Sequence, residues 1–258
     1  ADYRDLWDGN PYVSDPFWRK TLLRELERCA LRRAATITTI SESLAAPLGE
    51  LHACGVRVIP NAADTGEWSG IEFVRPDVFR IVHCGSLYDG KRSPRRLFAQ
   101  IAQMRREGNE AARALKIDFY GPEPGNLIEM ARDGGLEDAV TYHGVVDRHS
   151  AMRAERSAAL LLVIQNDDPR TASEYGSKIF EYEAAGKPIL ALGPQDSVLR
   201  AYIRDKGLGW FASGDDEIRE AISQAHRVYE SGTEMGESTG ERRSARSIAA
   251  DFVGILPV

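Results

Sequence analysis

The stretch FRIVHCGSLYDGKRSPRRLFAQIAQM, residues 79–104, decides the fold. It opens with an apolar run of strand length, turns on Gly85, and ends in residues with helical spacing. Ser93 suits the N-cap and Pro94 the first helical position. Leu97, Phe98, Ile101 and Met104 then share one helix face. Working outward, the same strand–helix unit recurs. The pattern predicts strands over 79–84, 115–120, 140–143, 158–164, 188–192 and 208–211, with helical patterns between them. Six strands alternating with helices imply a parallel sheet covered on both faces, a doubly wound, Rossmann-like α/β domain.

The flanks are less regular. A helix is predicted over 17–33, with Leu22, Leu23, Leu26, Cys29 and Ala30 as an apolar stripe. Six basic and two acidic residues between Arg19 and Arg33 give this helix a local charge of +4. A strand over 35–40 follows, then a helix over 43–53 in which Pro47 implies a late start or a bend, then a brief strand over 56–59. Beyond the main pattern, helices are predicted over 197–206 and 216–229. Residues 231–240 are rich in Gly, Ser, Thr and Glu and read as a linker, and a last helix runs over 241–255. The organisation expected is therefore 1–70 as part of another domain with a connecting segment, 71–240 as the main domain, and 241–258 as a terminal helix.

The chain has 258 residues, 43% of them apolar, and a formal net charge of −6. An acidic balance argues against general nucleic-acid binding, which needs clustered cations to neutralise phosphates. Cys29, Cys54 and Cys84 are odd in number and form no CxxC pair, a pattern expected of a reduced cytoplasmic protein without a structural metal. No apolar run reaches the ~18 residues of a membrane span, and the opening residues do not read as a signal peptide. The chain opens on Ala1 rather than Met and reads as one that begins partway through a longer protein.

Ligands of doubly wound sheets bind beyond the carboxyl ends of the strands. Two loops there carry chemistry. In the first, 83–94, Gly85 allows backbone to approach a phosphate, neighbouring amides including that of Ser86 can donate to it, and Lys91 and Arg92 add positive charge. The second leads into a helix predicted over 178–185, capped by Ser177 and stopped by Gly186 and Pro188. Ser177, Lys178 and Glu181 share one face at its amino end, where the helix dipole and the ammonium favour an anion. Spacing alone leaves two readings of each loop: a diphosphate site, or an ordinary turn with exposed cations and a surface Lys–Glu pair. His83 and His143 lie at strand ends, and His52, His149 and His226 read as surface residues.

The segment SKIFEYEAAGKPILA, residues 177–191, resembles the signature of group 1 (family 4 type) glycosyltransferases, a large retaining family with the GT-B fold. Glu181, Ala184, Ala185, Gly186 and Pro188 match it in order. VIPNAAD at 58–64 is similar to the family's interdomain segment. GSLYDGK at 85–91 is similar to its phosphate loop, and ADYRDLW at 1–7 resembles a segment late in its amino-terminal domain. The resemblance spans nearly the whole chain. It implies a GT-B-type architecture: a carboxy-terminal nucleotide-sugar-binding domain with a remnant of the amino-terminal, acceptor-side domain.

The same resemblance implies roles. Glu181 would bind ribose hydroxyls. Lys91 and the Gly85 backbone would hold the pyrophosphate, with Ser177 and Lys178 on it from the helix end. The Gly144-Val145 turn would flank the base. The sequence departs from the family twice. Ser86 stands where arginine commonly follows the loop glycine, with Arg92 as a substitute cation. Ser173 stands where a glutamate commonly meets the donor sugar, with Glu174 beside it.

The function implied is transfer of a hexose from a nucleotide-diphosphate sugar, with retention and without a metal or other cofactor. The acceptor would be a glycan, a lipid-linked molecule or a small molecule, and the basic helix at 17–33 allows peripheral contact with the inner face of a membrane. As this chain alone, the enzyme could be inactive. The other reading is a module that holds a nucleotide or nucleotide sugar without catalysing transfer. A nicotinamide-dependent Rossmann enzyme is disfavoured because the first strand–turn lacks GxGxxG.

Overall fold

The computed structural model describes residues 1–4, 16–88, 90–122, 125–172, 175–233 and 245–255. Two parallel sheets are present among them. The smaller contains β1 (Asp2–Tyr3), β2 (Ile37–Thr39) and β3 (Val56–Val58) in that order. It is covered by α1 (Phe17–Leu31) and α2 (Glu42–His52), and its core is Tyr3, Ile37 and Leu48. Ser41 caps α2 by accepting from the Leu44 amide, and the helix continues through Pro47.

The larger sheet is built from β4 (Arg80–Cys84), β5 (Lys116–Tyr120), β6 (Val140–Tyr142), β7 (Leu160–Ile164), β8 (Ile189–Leu192) and β9 (Gly209–Ala212). Its order is β6-β5-β4-β7-β8-β9, with every neighbour parallel. Numbered from β4, this is the 3-2-1-4-5-6 order of a Rossmann sheet, whose crevice lies where the winding reverses, between β4 and β7. The doubly wound expectation therefore holds, and all six predicted strands are present.

Alternation along the strands feeds a core on each face. Ile81, Leu160, Leu162 and Ile164 join one, with α3 (Arg95–Arg106), α4 (Glu110–Ala114), α5 (Leu127–Asp133) and α9 (Asp215–Ser231). Val82, Cys84, Leu161 and Val163 join the other, with α6 (Arg148–Arg156), α7 (Lys178–Ala185) and α8 (Val198–Lys206). The helix α10 (Ala245–Val253) returns to the small sheet, where Phe252 lies under the Arg4 guanidinium at 5.6 Å. No helix among the described residues is long and apolar enough to cross a membrane.

Three expectations are corrected. The stripe on α1 is not a core face: Leu22 and Leu26 are about half exposed, Cys29 and Ala30 are exposed, and Trp18 is 67% exposed. The buried side chain of this helix is Glu27, which accepts a hydrogen bond from Tyr3 Oη at 2.5 Å and lies 3.4 Å from His52 Nε2. His52 is thus no surface residue, and neither is His226, whose ring packs edge-on against Phe79 at 5.0 Å. The α3 helix also starts one residue later than predicted. Pro94 takes the cap position and Ser93 Oγ accepts from the Arg95 amide.

The strand ends are held by glycines in close approach. Gly85 donates to the Tyr120 carbonyl at 2.8 Å, and Gly121 donates to that of Gly144 at 2.8 Å. A Cβ on Gly121, whose φ is +132°, would stand 2.4 Å from the Gly85 carbonyl oxygen. Gly121→Ala is therefore expected to destabilise the fold by about 2–4 kcal/mol through strain and overpacking, and to displace the Gly85 turn. Denaturant unfolding measures the first effect. A stability unchanged from the parent would contradict the close approach.

Candidate functional site

At the reversal of the winding, β4 ends in the Gly85 turn and the chain after β7 leads to α7. These two segments meet. Lys178 Cγ lies 4.0 Å from where a Cβ on Gly85 would stand, and His83 Nε2 lies 3.8 Å from the same point. Gly85 has φ +152°, a conformation that favours glycine. Its amide is spent on the Tyr120 carbonyl and is not open to another acceptor. The amides of Ser86 and Leu87 meet no acceptor among the described residues, while Ser86 Oγ accepts from the Tyr88 amide at 3.0 Å.

His83 belongs to the core face of β4 and is buried. Its Nδ1 faces the Leu162 carbonyl at 2.8 Å, which fits an Nδ1–H donor and leaves a lone pair on Nε2. Nε2 has no partner among the described residues. Burial pushes this imidazole down to about 4, the Leu162 bond opposes the shift, and the charges of Arg92 and Lys178 add to it. The charges of Arg92 and Lys178 thus both act on His83. The Arg92 guanidinium also lies over the Tyr88 ring at 4.4 Å. Lys91 is exposed on the outer part of the turn, its amide bonded to the Tyr88 carbonyl.

On α7 the sequence reading needs one correction. Ser177 is exposed, has helical φ and ψ of −54° and −29°, and makes no side-chain cap. The first turn is closed instead by Ile179 donating to Gly176 and Phe180 donating to Ser177. Gly186, at φ 71°, ends the helix as expected. Lys178 Nζ bonds Glu181 Oε2 at 2.5 Å and Glu155 Oε1 at 3.4 Å. Glu181, 21% exposed, also faces Arg148 at 3.6 Å, and Arg148 in turn pairs with Glu67. Glu181 is thus neither surface decoration nor buried in apolar packing. Val145 is 76% exposed beyond β6, next to the Tyr120–His143 ring stack, whose centroids are 4.3 Å apart. Glu174 and Ser173 lie outside the described residues.

Sequence reasoning missed Glu155 and Arg148. Glu155 is fully buried on α6, with Oε2 unpartnered among the described residues. Burial pushes its carboxyl up to about 7; Lys178 opposes the shift and Glu181 reinforces it. A signal existed: Met152 and Glu155 fall on one helix face, so a carboxylate sits where an apolar residue belongs.

The chain matches no known family model, and no curated protein resembles it in sequence. Solved structures do resemble it. The fold is that of the GT-B glycosyltransferases. Sucrose-phosphate synthase from Thermosynechococcus elongatus superposes with a TM-score of 0.70 at 16% identity, over 98% of this chain and 66% of that one. Anabaena HepE in complex with UDP and glucose gives 0.65 at 14% identity, over 91% of this chain and 67% of that one. S. aureus TarM in complex with Fondaparinux, alpha-GlcNAc-glycerol and UDP gives 0.65 at 14% identity, over 90% and 46%. The chain therefore spans about half to two thirds of the length of these proteins.

The raised carboxyl of Glu155 has a consequence for stability. A carboxyl whose folded pKa lies above its unfolded value stabilises the fold below the unfolded value, and that contribution is lost as pH rises through the folded one. The loss spans the window from 4.5 to about 7. Glu155→Gln, an isostere without the charge, should be more stable than the parent by on the order of 3 kcal/mol at about pH 8.5, and so melt at a higher temperature, and should match it at about pH 4. Thermal melts at the two pH values check this, and a variant less stable at the higher one would contradict it.

Proposed function

We propose that this chain binds the diphosphate of a nucleotide sugar and forms the donor-side half of a glycosyltransferase. The observation that carries the reading is the meeting of Lys178 with the Gly85 turn at the reversal of the sheet winding. The Lys178 side chain stands there beside the amides of Ser86 and Leu87, which meet no acceptor among the described residues, in a crevice of the kind where such sheets bind ligands. Two of the solved structures with the same fold are complexes with UDP.

Breaking the bond between an anomeric carbon and a diphosphate builds negative charge on the leaving phosphate. Donors fixed in advance around that charge lower the barrier. Lys178, Arg92, Lys91 and the amides of Ser86 and Leu87 serve this purpose without a metal. Glu181 turns one carboxylate oxygen to the ribose hydroxyls, and the Gly144-Val145 turn flanks the base. Retention of anomeric configuration and transfer of a hexose follow from the family resemblance. The acceptor, whether a glycan, a lipid-linked molecule or a small molecule, would bind on the side of the small sheet. Such an enzyme acting on a lipid-linked acceptor would work from the cytoplasm, with the Phe17–Leu31 helix resting on the inner membrane face.

A thermal-shift panel of UDP, GDP, ADP and NAD tests the reading, since a ligand that binds only the folded state raises the melting temperature. One nucleoside diphosphate should stabilise the protein and NAD should not. No shift with any of the three diphosphates would overturn the reading. Lys178→Ala and Lys91→Ala should each weaken binding of that nucleotide by roughly 1.5–3 kcal/mol, as lost charge-assisted contacts. Calorimetric titration measures both, and undiminished affinity would remove the residue concerned from the site.

A further inference from the structure

The Lys178 ammonium serves two carboxylates that are not equivalent. Glu181 is partly exposed and has Arg148 as a second cation. Glu155 is enclosed, with Oε1 3.4 Å from Lys178 Nζ and Oε2 without a partner among the described residues. The titratable and charged groups facing the Glu155 carboxyl are Lys178, Glu181 and Tyr182 from α7 and Cys84 from β4. None of the other three brings a positive charge, so among the described residues Lys178 is the cation that balances an ionised Glu155. The same Lys178 side chain passes the Gly85 turn.

Resting on the diphosphate reading above, we propose that Glu155 is a positioning residue for Lys178: ionised, it draws the ammonium inward against α6, and protonated, it releases the ammonium to a diphosphate seated at the Gly85 turn. Two arguments support this. A buried carboxylate competes directly with any other anion for a cation within its reach, as Lys178 is for Glu155. An arriving diphosphate also raises the cost of a second negative charge in the enclosed space, so Glu155 takes up a proton from solvent as the ligand enters. Its carboxyl is already pushed up to about 7 by burial, so the exchange falls in the physiological range. Glu155 itself does not touch the ligand.

The test compares the parent protein with Glu155→Gln, by calorimetric titration with UDP, GDP and ADP at about pH 6 and about pH 8.5. The terminal phosphate of these ligands titrates in the same range, but equally for both proteins, so the ratio of the two Kd values is the quantity read. With the tightest nucleotide, the parent should bind as well as the variant at the lower pH and roughly five- to tenfold more weakly at the higher one. A purely structural role would change Kd by the same factor at both, and a constant ratio would overturn the proposal while leaving the diphosphate reading intact. Absence of binding by either protein to any of the three would overturn both. If the variant does not fold, the parent is titrated with UDP-glucose, whose diphosphate has no proton to lose in this range. Its Kd should rise at least about threefold between the two pH values, and a flat profile would overturn the proposal.

Discussion

A single ammonium is stretched between a carboxylate that faces solvent and one that does not, and the architecture of the crevice depends on where it rests. Lys178 reaches back from the first residue of α7, passes the Gly85 turn and ends between Glu181 and Glu155. Its charge helps keep His83 neutral beneath the turn. It holds α6 to α7 and ties both to the end of β4. Without it, Glu181 would keep Arg148 and its contact with solvent, whereas Glu155 would lie enclosed beside another carboxylate.

Around that charge the backbone supplies the geometry. Gly85, Gly121 and Gly144 end three neighbouring strands, and each turn is bonded to the next. The approach of Gly121 to Gly85 is too close for any side chain. The turn after β4 is therefore set by its neighbours in the sheet as well as by its own sequence. This is why a loop rich in small and charged residues can present amides in a fixed direction. Tyr182, buried under the same strand end, accepts the Cys84 amide at 2.9 Å and completes the support from below.

Much of this was legible in the chain. Alternation and length placed all six strands of the large sheet, and the spacing of Lys178, Glu181 and Gly186 marked α7 to the residue. What failed did so for physical reasons. Leu22 and Leu26 are spaced like a core stripe, but periodicity says which residues share a face, not whether anything covers it. Ser177 is a good cap by type, yet the backbone there is already helical, so its hydroxyl points into no open turn. Glu155 escaped because a carboxylate on an apolar face is read as an exception rather than as the partner of a lysine 23 residues further along. The pairing of Lys178 with Glu181 is local and visible. The pairing with Glu155 exists only once β7 has been threaded between them.

The segment joining the two sheets is fastened at both ends, and unequally. Arg4 holds the Ile59 carbonyl at 3.3 Å and the Asn61 side chain at 2.6 Å, which binds this part of the chain to the small sheet. Ala63, Trp68 and Ile71 are packed into the large one, Lys187 grips the Val74 carbonyl at 3.0 Å, and its ammonium lies over the Phe73 ring. Between the two anchorages stands Ala62. Residues 63–74 therefore belong with the large sheet, and Glu67 among them brings its carboxylate to Arg148, the cation that also faces Glu181.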